Sequence, residues 1–260
     1  MKYSLSNRQT YEYLSKADEI RVQWRDRTTI IDLVEKYPEK IINLVRHFQD
    51  CEKPVDWKQI EDFSVMCRGR FMLGLTHLDE MKEARSRDIK FYYLAPAYTF
   101  QDLNDYKAVG VCCVYLGAPL FFMMDKVKRF NLPVRVVANT ASSEALHRPD
   151  GATGTWIRPE DVELYEPYVD TIEFVGNQSQ EQALYRIYAE RKEWKAQLNL
   201  IVQDINRDCS NHLIPPYFAE SRLNCGQKCQ ENGRCHLCYR VLDLAKPEKL
   251  KEILELSKET

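Results

Sequence analysis

The feature that most constrains this chain is a regular alternation of short β-rich runs with helical segments, repeated along most of its length. β-branched, apolar and aromatic residues cluster in Glu19–Trp24, Lys40–Val45, Arg70–Leu75, Ile89–Leu94, Val111–Leu116 and Val134–Ala138, then in a short run at Thr155–Ile157 and in Thr171–Val175. Between them, Thr28–Tyr37, Trp57–Cys67, Leu78–Arg87, Phe100–Val109, Pro119–Phe130 and Gln180–Leu198 carry helical periodicity or strong helical propensity. Lys40–Val45 also suits a helix. Thr28 is the expected cap of the first helix, and Pro159, Glu160 and Asp161 read as a first helical turn, since proline suits N1 and acids suit the positive end of the helix dipole. Runs as apolar as Val111–Leu116 fit strands covered on both faces, which is the condition of a parallel sheet. Eight such runs in order predict a (β/α)8 TIM-like barrel. A doubly wound open sheet is the structural alternative. The absence of GxGxxG after the first strand weakens its dinucleotide-binding form.

A chain of 260 residues suits one such barrel, typically about 250 residues, with a short appendage. The expected division is a barrel over 1–200 and a cysteine-rich metal-binding extension with a C-terminal helix over 201–260. With a formal charge of -2, a bulk electrostatic pull on nucleic acid or membrane is not expected, which leaves room for a local basic patch. The N-terminal stretch MKYSLSNRQTYEYL has no apolar signal core, and no run approaches 18 apolar residues, so a cytosolic protein without membrane association is expected. In a reducing compartment, clustered cysteines point to metal rather than disulfides.

Cys225, Cys229, Cys235 and Cys238 form a CxxxC pair followed by a CxxC pair. Thiolates two or three residues apart converge on one ion when the chain turns tightly, and Gly226 and Gly233 supply that freedom. Four thiolates satisfy tetrahedral zinc and equally a 4Fe-4S cluster; spacing does not separate them. Cys209, His212 and His236 stand nearby as substitute ligands or surface groups. Cys51, Cys67, Cys112 and Cys113 fall in or beside strands and helices, where a free cysteine behaves as a small apolar residue. Around the cluster, Arg207, Arg222, Lys228, Arg234 and Arg240 alternate with Tyr217, Phe218 and Tyr239, a mixture able to bind phosphate and stack bases, or simply a solvated basic surface. The segment Lys246–Lys258 carries a leucine and isoleucine stripe for packing on the barrel or on a protein partner.

Chemistry in such barrels sits where strands end and βα loops begin. The polar residues there are Arg46, His47, His77, Tyr98, Asn139, Thr140, Arg158 and Asn177. As catalytic candidates, His77 would exchange a proton, Arg158 would clamp an anion bidentately, and Asn139 would orient the substrate. Arg158 has an alternative role in pairing with Glu160 or Asp161. No GxSxG, HExxH, P-loop or paired-carboxylate motif is present, which argues against a serine hydrolase, a zincin and a nucleotide hydrolase.

The segment TWIRPEDVELYEPYVDTIEFVG at Thr155–Gly176, the stretch YLGAPLFFMMDKVKRFNLPVRVVANTAS and the cysteine-rich tail together resemble the collagenase-like peptidase family, peptidase family U32. The resemblance implies a barrel-like α/β domain with downstream cysteines. That family includes 4Fe-4S proteins supporting oxygen-independent hydroxylation of quinone precursors, transfer RNA or ribosomal RNA. By this resemblance Cys225, Cys229, Cys235 and Cys238 would hold the cluster, with a small-molecule or RNA substrate, although here they are compressed into one short run rather than distributed. The competing readings are a zinc-stapled barrel binding a protein or RNA partner, and a peptidase, which follows from the family label alone.

Overall fold

The computed structural model describes residues 1–24, 26–45, 54–140, 155–203, 209–226 and 237–248. The elements run β1 (Lys2–Ser6), α1 (Tyr11–Lys16), β2 (Glu19–Gln23), α2 (Arg27–Lys36), β3 (Ile41–Val45), α3 (Trp57–Met66), β4 (Phe71–Leu75), α4 (Leu78–Ser86), β5 (Phe91–Tyr93) and α5 (Phe100–Val109). They continue with β6 (Val114–Tyr115), α6 (Ala118–Phe121), α7 (Met124–Lys128), β7 (Val134–Val137), α8 (Val162–Tyr165), β8 (Thr171–Glu173), α9 (Gln178–Ala189), α10 (Tyr217–Leu223) and α11 (Leu237–Leu244). The parallel strands follow the order β5-β4-β3-β2-β1-β8-β7-β6, and Cys112 N–H donates to Phe91 C=O across the remaining seam. The chain is a (β/α)8 barrel.

Eight strands are present, but they are not the eight expected. The first is Lys2–Ser6, which pairs with both β2 and β8, whereas Thr155–Ile157 forms no strand. The sequence KYSLS reads as a polar terminus because Lys2, Ser4 and Ser6 lie on its inward side, and here the barrel interior is polar. Trp156 and Ile157 are buried by packing instead: the Trp156 ring lies against Phe218, and Ile157 N–H donates to Ala138 C=O without a strand forming. The predicted Pro119–Phe130 helix is two short helices, with Phe121 and Phe122 both fully buried at the break. The last barrel helix ends at Ala189 rather than Leu198, since Arg191 takes a left-handed φ of 52° that helix geometry does not allow. Asp26, not Thr28, caps α2, its carboxylate accepting from Thr29 N–H at 3.2 Å.

The structure divides into two compact units. One comprises Met1–Tyr115, Phe130–Arg135 and Val169–Glu173 and holds every strand except the end of β7; the other comprises Leu116–Arg129, Val136–Tyr168 and the chain from Phe174. In the first unit, side chains alternate strictly across the sheet. Ile20, Val22, Ile42, Leu44, Phe71, Leu73, Leu75 and Phe91 face outward to the helices and are buried, each contributing about 1.5–3 kcal/mol by leaving water. The alternate positions face inward. Register aligns them in layers: Ser4 with Glu19 and Glu173, Arg21 with Asn43, Asn43 with Met72, Gly74 with Tyr92, and Tyr115 with Arg135.

Candidate functional site: a charged barrel interior and a cysteine-bearing tail

A barrel of this type is ordinarily filled by branched apolar side chains. This one holds two guanidiniums and two carboxylates. Arg135, only 1% exposed, donates from Nη2 to Glu19 Oε2 at 2.7 Å and from Nε to Glu173 Oε1 at 3.1 Å, with a second bond from Nη2 to Glu173. Arg21 Nη1 reaches the other oxygen of Glu173 at 3.3 Å, and the Tyr115 hydroxyl donates to Oε1 at 2.8 Å. Tyr92 Oη donates to Asn43 Oδ1 at 2.9 Å, and the Arg135 guanidinium lies 5.5 Å and 5.8 Å from the Tyr92 and Tyr115 ring centroids.

Burial by itself would raise the Glu173 carboxyl, but the charges of Arg135 and Arg21 and the hydrogen bonds they and Tyr115 donate hold it below the ordinary carboxylate value. Burial, reinforced by the Glu173 charge, pushes both tyrosine hydroxyls up, so they remain donors. Burial works against the Arg135 cation and is outweighed by Glu173, Tyr115 and Glu19. The interior is thus a fixed set of charges, balanced two against two. Among the described residues, the buried Ser4 hydroxyl and Asn43 Nδ2 have no hydrogen-bond partner.

Cavities open at both ends of this interior. At the C-terminal strand ends a cavity of about 280 Å³ is lined by Ser6, Asn7, Arg8, Arg21, Gln23 and Asp26. Arg21 therefore connects the buried network to the face on which barrel enzymes bind substrate. At the N-terminal ends a cavity of about 260 Å³ is lined by Glu19, Met72, Cys112, Cys113 and Arg135 among others. The adjacent thiols act on each other, which lowers Cys112 and raises Cys113; burial raises Cys113 further.

The expected mouth residues do not assemble as one set. His77 is exposed at the N-cap of α4 without capping it through its side chain. Asn139 is buried and clamps Val175, two residues beyond β8, donating to its C=O and accepting from its N–H, both at 2.7 Å. Arg158 grips Asp161 bidentately, at 2.5 Å and 2.9 Å, and donates to Ile214 C=O, so its pairing role is the one realised. Asn177 caps α9 in a capping box with Gln180. Tyr98 N–H donates to Asp102, and Thr140 bridges to Gln203. Arg46 and His47 lie outside the described residues. The residues that sequence reasoning missed, Glu19, Arg21, Arg135 and Glu173, sit inside predicted strands. Charged residues at inward positions of otherwise apolar runs were the available signal.

In the second unit, Cys225 follows α10 and Cys238 lies in α11, two helices that pack on each other. Cys229 and Cys235 lie outside the described residues. Arg222, three residues before Cys225, is buried, with its guanidinium 4.1 Å from the Trp156 ring centroid and 5.1 Å from that of Phe122. Tyr165 is buried with a hydroxyl lacking a hydrogen-bond partner among the described residues; burial pushes it up to about 12, and the charges of Arg222 and Cys238 also act on it. A buried hydroxyl within electrostatic reach of Cys238 and a buried cation three residues from Cys225 are groups of the kind that suit an anionic sulfur-bearing ligand. Arg222 and Phe218, both buried, are withdrawn from the expected RNA-facing surface, whereas Tyr217 is exposed. Cys209 is buried as well. Among the described residues, no three His, Cys, Asp or Glu side chains group as metal ligands, and no helix is long and apolar enough to cross a membrane.

No protein-family model matches the sequence, and no curated protein does. Among solved structures, the chain is similar to 3-keto-L-gulonate-6-phosphate decarboxylase from Vibrio cholerae, at 14% identity over 73% of this chain and 96% of that one, with a TM-score of 0.47. It is also similar to phosphoribosyl anthranilate isomerase from Thermus thermophilus, at 13% identity over 74% and 100% with a TM-score of 0.46. N-acetylmannosamine-6-phosphate 2-epimerase from Clostridium perfringens gives 13% identity over 73% and 93%, with a TM-score of 0.41.

Proposed function

We propose that this chain is a barrel enzyme of the collagenase-like peptidase type that binds a 4Fe-4S cluster through Cys225, Cys229, Cys235 and Cys238 and supports oxygen-independent hydroxylation of an RNA base or quinone-like ring. The observation that carries the reading is that Cys225 follows α10 and Cys238 lies in α11, two helices packed together, with buried Arg222 three residues before the first cysteine and the buried Tyr165 hydroxyl within electrostatic reach of the second. A bound cluster would supply one-electron chemistry. The guanidinium lowers the cost of burying negative thiolates, and the hydroxyl is a ready donor to sulfur.

The barrel contributes a polar, preorganised interior. A ring with carbonyl or anionic substituents finds donors in Arg8, Arg21, Asn7 and Gln23 at the C-terminal cavity, and Glu173 holds Arg21 from behind. His77 and Arg158 are secondary in this reading, His77 because it is exposed and Arg158 because Asp161 occupies it.

The test is purification without oxygen, followed by iron and acid-labile sulfide analysis and an absorption spectrum, for wild type and for Cys225→Ser with Cys238→Ser. Iron, sulfide and a broad band near roughly 400 nm, all lost in the variant, support the reading. Mass spectrometry of RNA nucleosides and quinones from cells lacking the protein then identifies the missing hydroxyl group. Stoichiometric colourless zinc would replace this reading with a structural staple on a binding module.

A further inference from the structure

We propose that Cys112, Cys113 and Met72 form a second metal site, independent of the tail, that takes a soft monovalent cation of the Cu(I) type at the N-terminal end of the barrel. Successive side chains of a strand point to opposite faces, so two adjacent cysteines ordinarily diverge. Here the chain bends at Cys112, two residues before β6, and both cysteines line the same cavity of about 260 Å³. Met72, inward on β4, packs in one cluster with Cys113, against which Cys112 is also packed. Three sulfur-bearing residues thus pack together from β4 and from the turn that leads into β6, segments distant in sequence.

Thiolate and thioether sulfur select soft d10 cations, and a two-thiolate, one-thioether set suits Cu(I). Binding would release both thiol protons to the buffer and form a complex of net charge -1, with copper remaining Cu(I) throughout. The charge has a counterion in place: Arg135 lines the cavity and already directs Nη1 to Met72 Sδ at 3.6 Å. Lys2, Arg70 and Lys90 line the same cavity, against the carboxylates of Glu19 and Asp170.

The experiment is anaerobic titration of the full chain with Cu(I) in competition with a chromophoric Cu(I) chelator, together with alkylation of thiols mapped by mass spectrometry. One equivalent should persist when all four tail cysteines are changed to serine and be lost in Cys112→Ser with Cys113→Ser. Met72→Leu should keep the stoichiometry and weaken binding, because it removes the thioether and leaves the two thiolates. In wild-type protein, bound Cu(I) should protect Cys112 and Cys113 from alkylation, a readout that does not depend on a variant folding. Unchanged alkylation of Cys112 in copper-loaded protein, or an undiminished equivalent in a folded double variant, would overturn the proposal. So would protection confined to the tail cysteines.

Discussion

Arg135 and Glu173 face each other inside the barrel from β7 and β8, joined by a hydrogen bond of 3.1 Å from Nε and a second from Nη2, and both are almost wholly removed from water. The same guanidinium holds Glu19 on β2. One cation therefore ties together carboxylates on two strands that flank β1, and the interior charges depend on one another.

Removing that cation leaves two carboxylates buried together. Arg135→Met is expected to cost about 3–5 kcal/mol, the usual penalty for breaking a buried pair. Adding Glu19→Gln and Glu173→Gln should recover much of the loss, because the desolvated charges go with it. Urea unfolding of the single and triple variants measures both; a triple variant less stable than the single one would refute the charge account.

The pH dependence follows from Glu173. Its folded carboxyl lies below the ordinary value, so its stabilising contribution is complete above the unfolded value of about 4.3 and is lost as pH falls through the folded one. Acid unfolding curves of wild type and Glu173→Gln should differ in slope over that window, with the variant flatter. Parallel curves would show that Glu173 is not a linked group.

Gly74 faces inward on β4, where an added Cβ would lie 2.8 Å from Leu94 Cδ2 and 2.9 Å from the Tyr92 hydroxyl oxygen. Gly74→Ala should displace Tyr92 from Asn43 and destabilise by about 1–3 kcal/mol, the range for overpacking. Chemical denaturation provides the measurement, and a neutral result would mean that Tyr92 relaxes freely.

Asn139 serves Val175 as donor and acceptor at once. Asn139→Asp preserves shape but sets a carboxylate oxygen against the Val175 carbonyl, and should cost about 1–3 kcal/mol at neutral pH. Acidification of the variant should recover part of that loss, since a protonated carboxyl donates again. Thermal unfolding at two pH values checks this.

Arg21→Met should leave cluster content unchanged under the proposed function while lowering substrate affinity, because Arg21 bridges the C-terminal cavity and Glu173. Iron analysis alongside a binding assay separates the two effects. Loss of iron in a folded Arg21→Met protein would contradict the assignment of Arg21 to substrate.

The sequence by itself determined the βα alternation, the parallel barrel and seven of its strands, because strand and helix periodicities are local and the outward faces of Ile20, Leu44, Leu73 and Phe91 are plainly apolar. It also marked the four tail cysteines, since their spacing is local too. Only the tertiary structure decided that KYSLS is the first strand, that Thr155–Ile157 is buried without joining the sheet, and that Arg158 is occupied by Asp161. It alone brought Arg135 to Glu19, 116 residues away, and packed Cys112 and Cys113 with Met72. Which side of a strand faces the axis, and which charges meet there, depends on strands distant in the chain closing into one sheet. Local pattern carries no record of that closure.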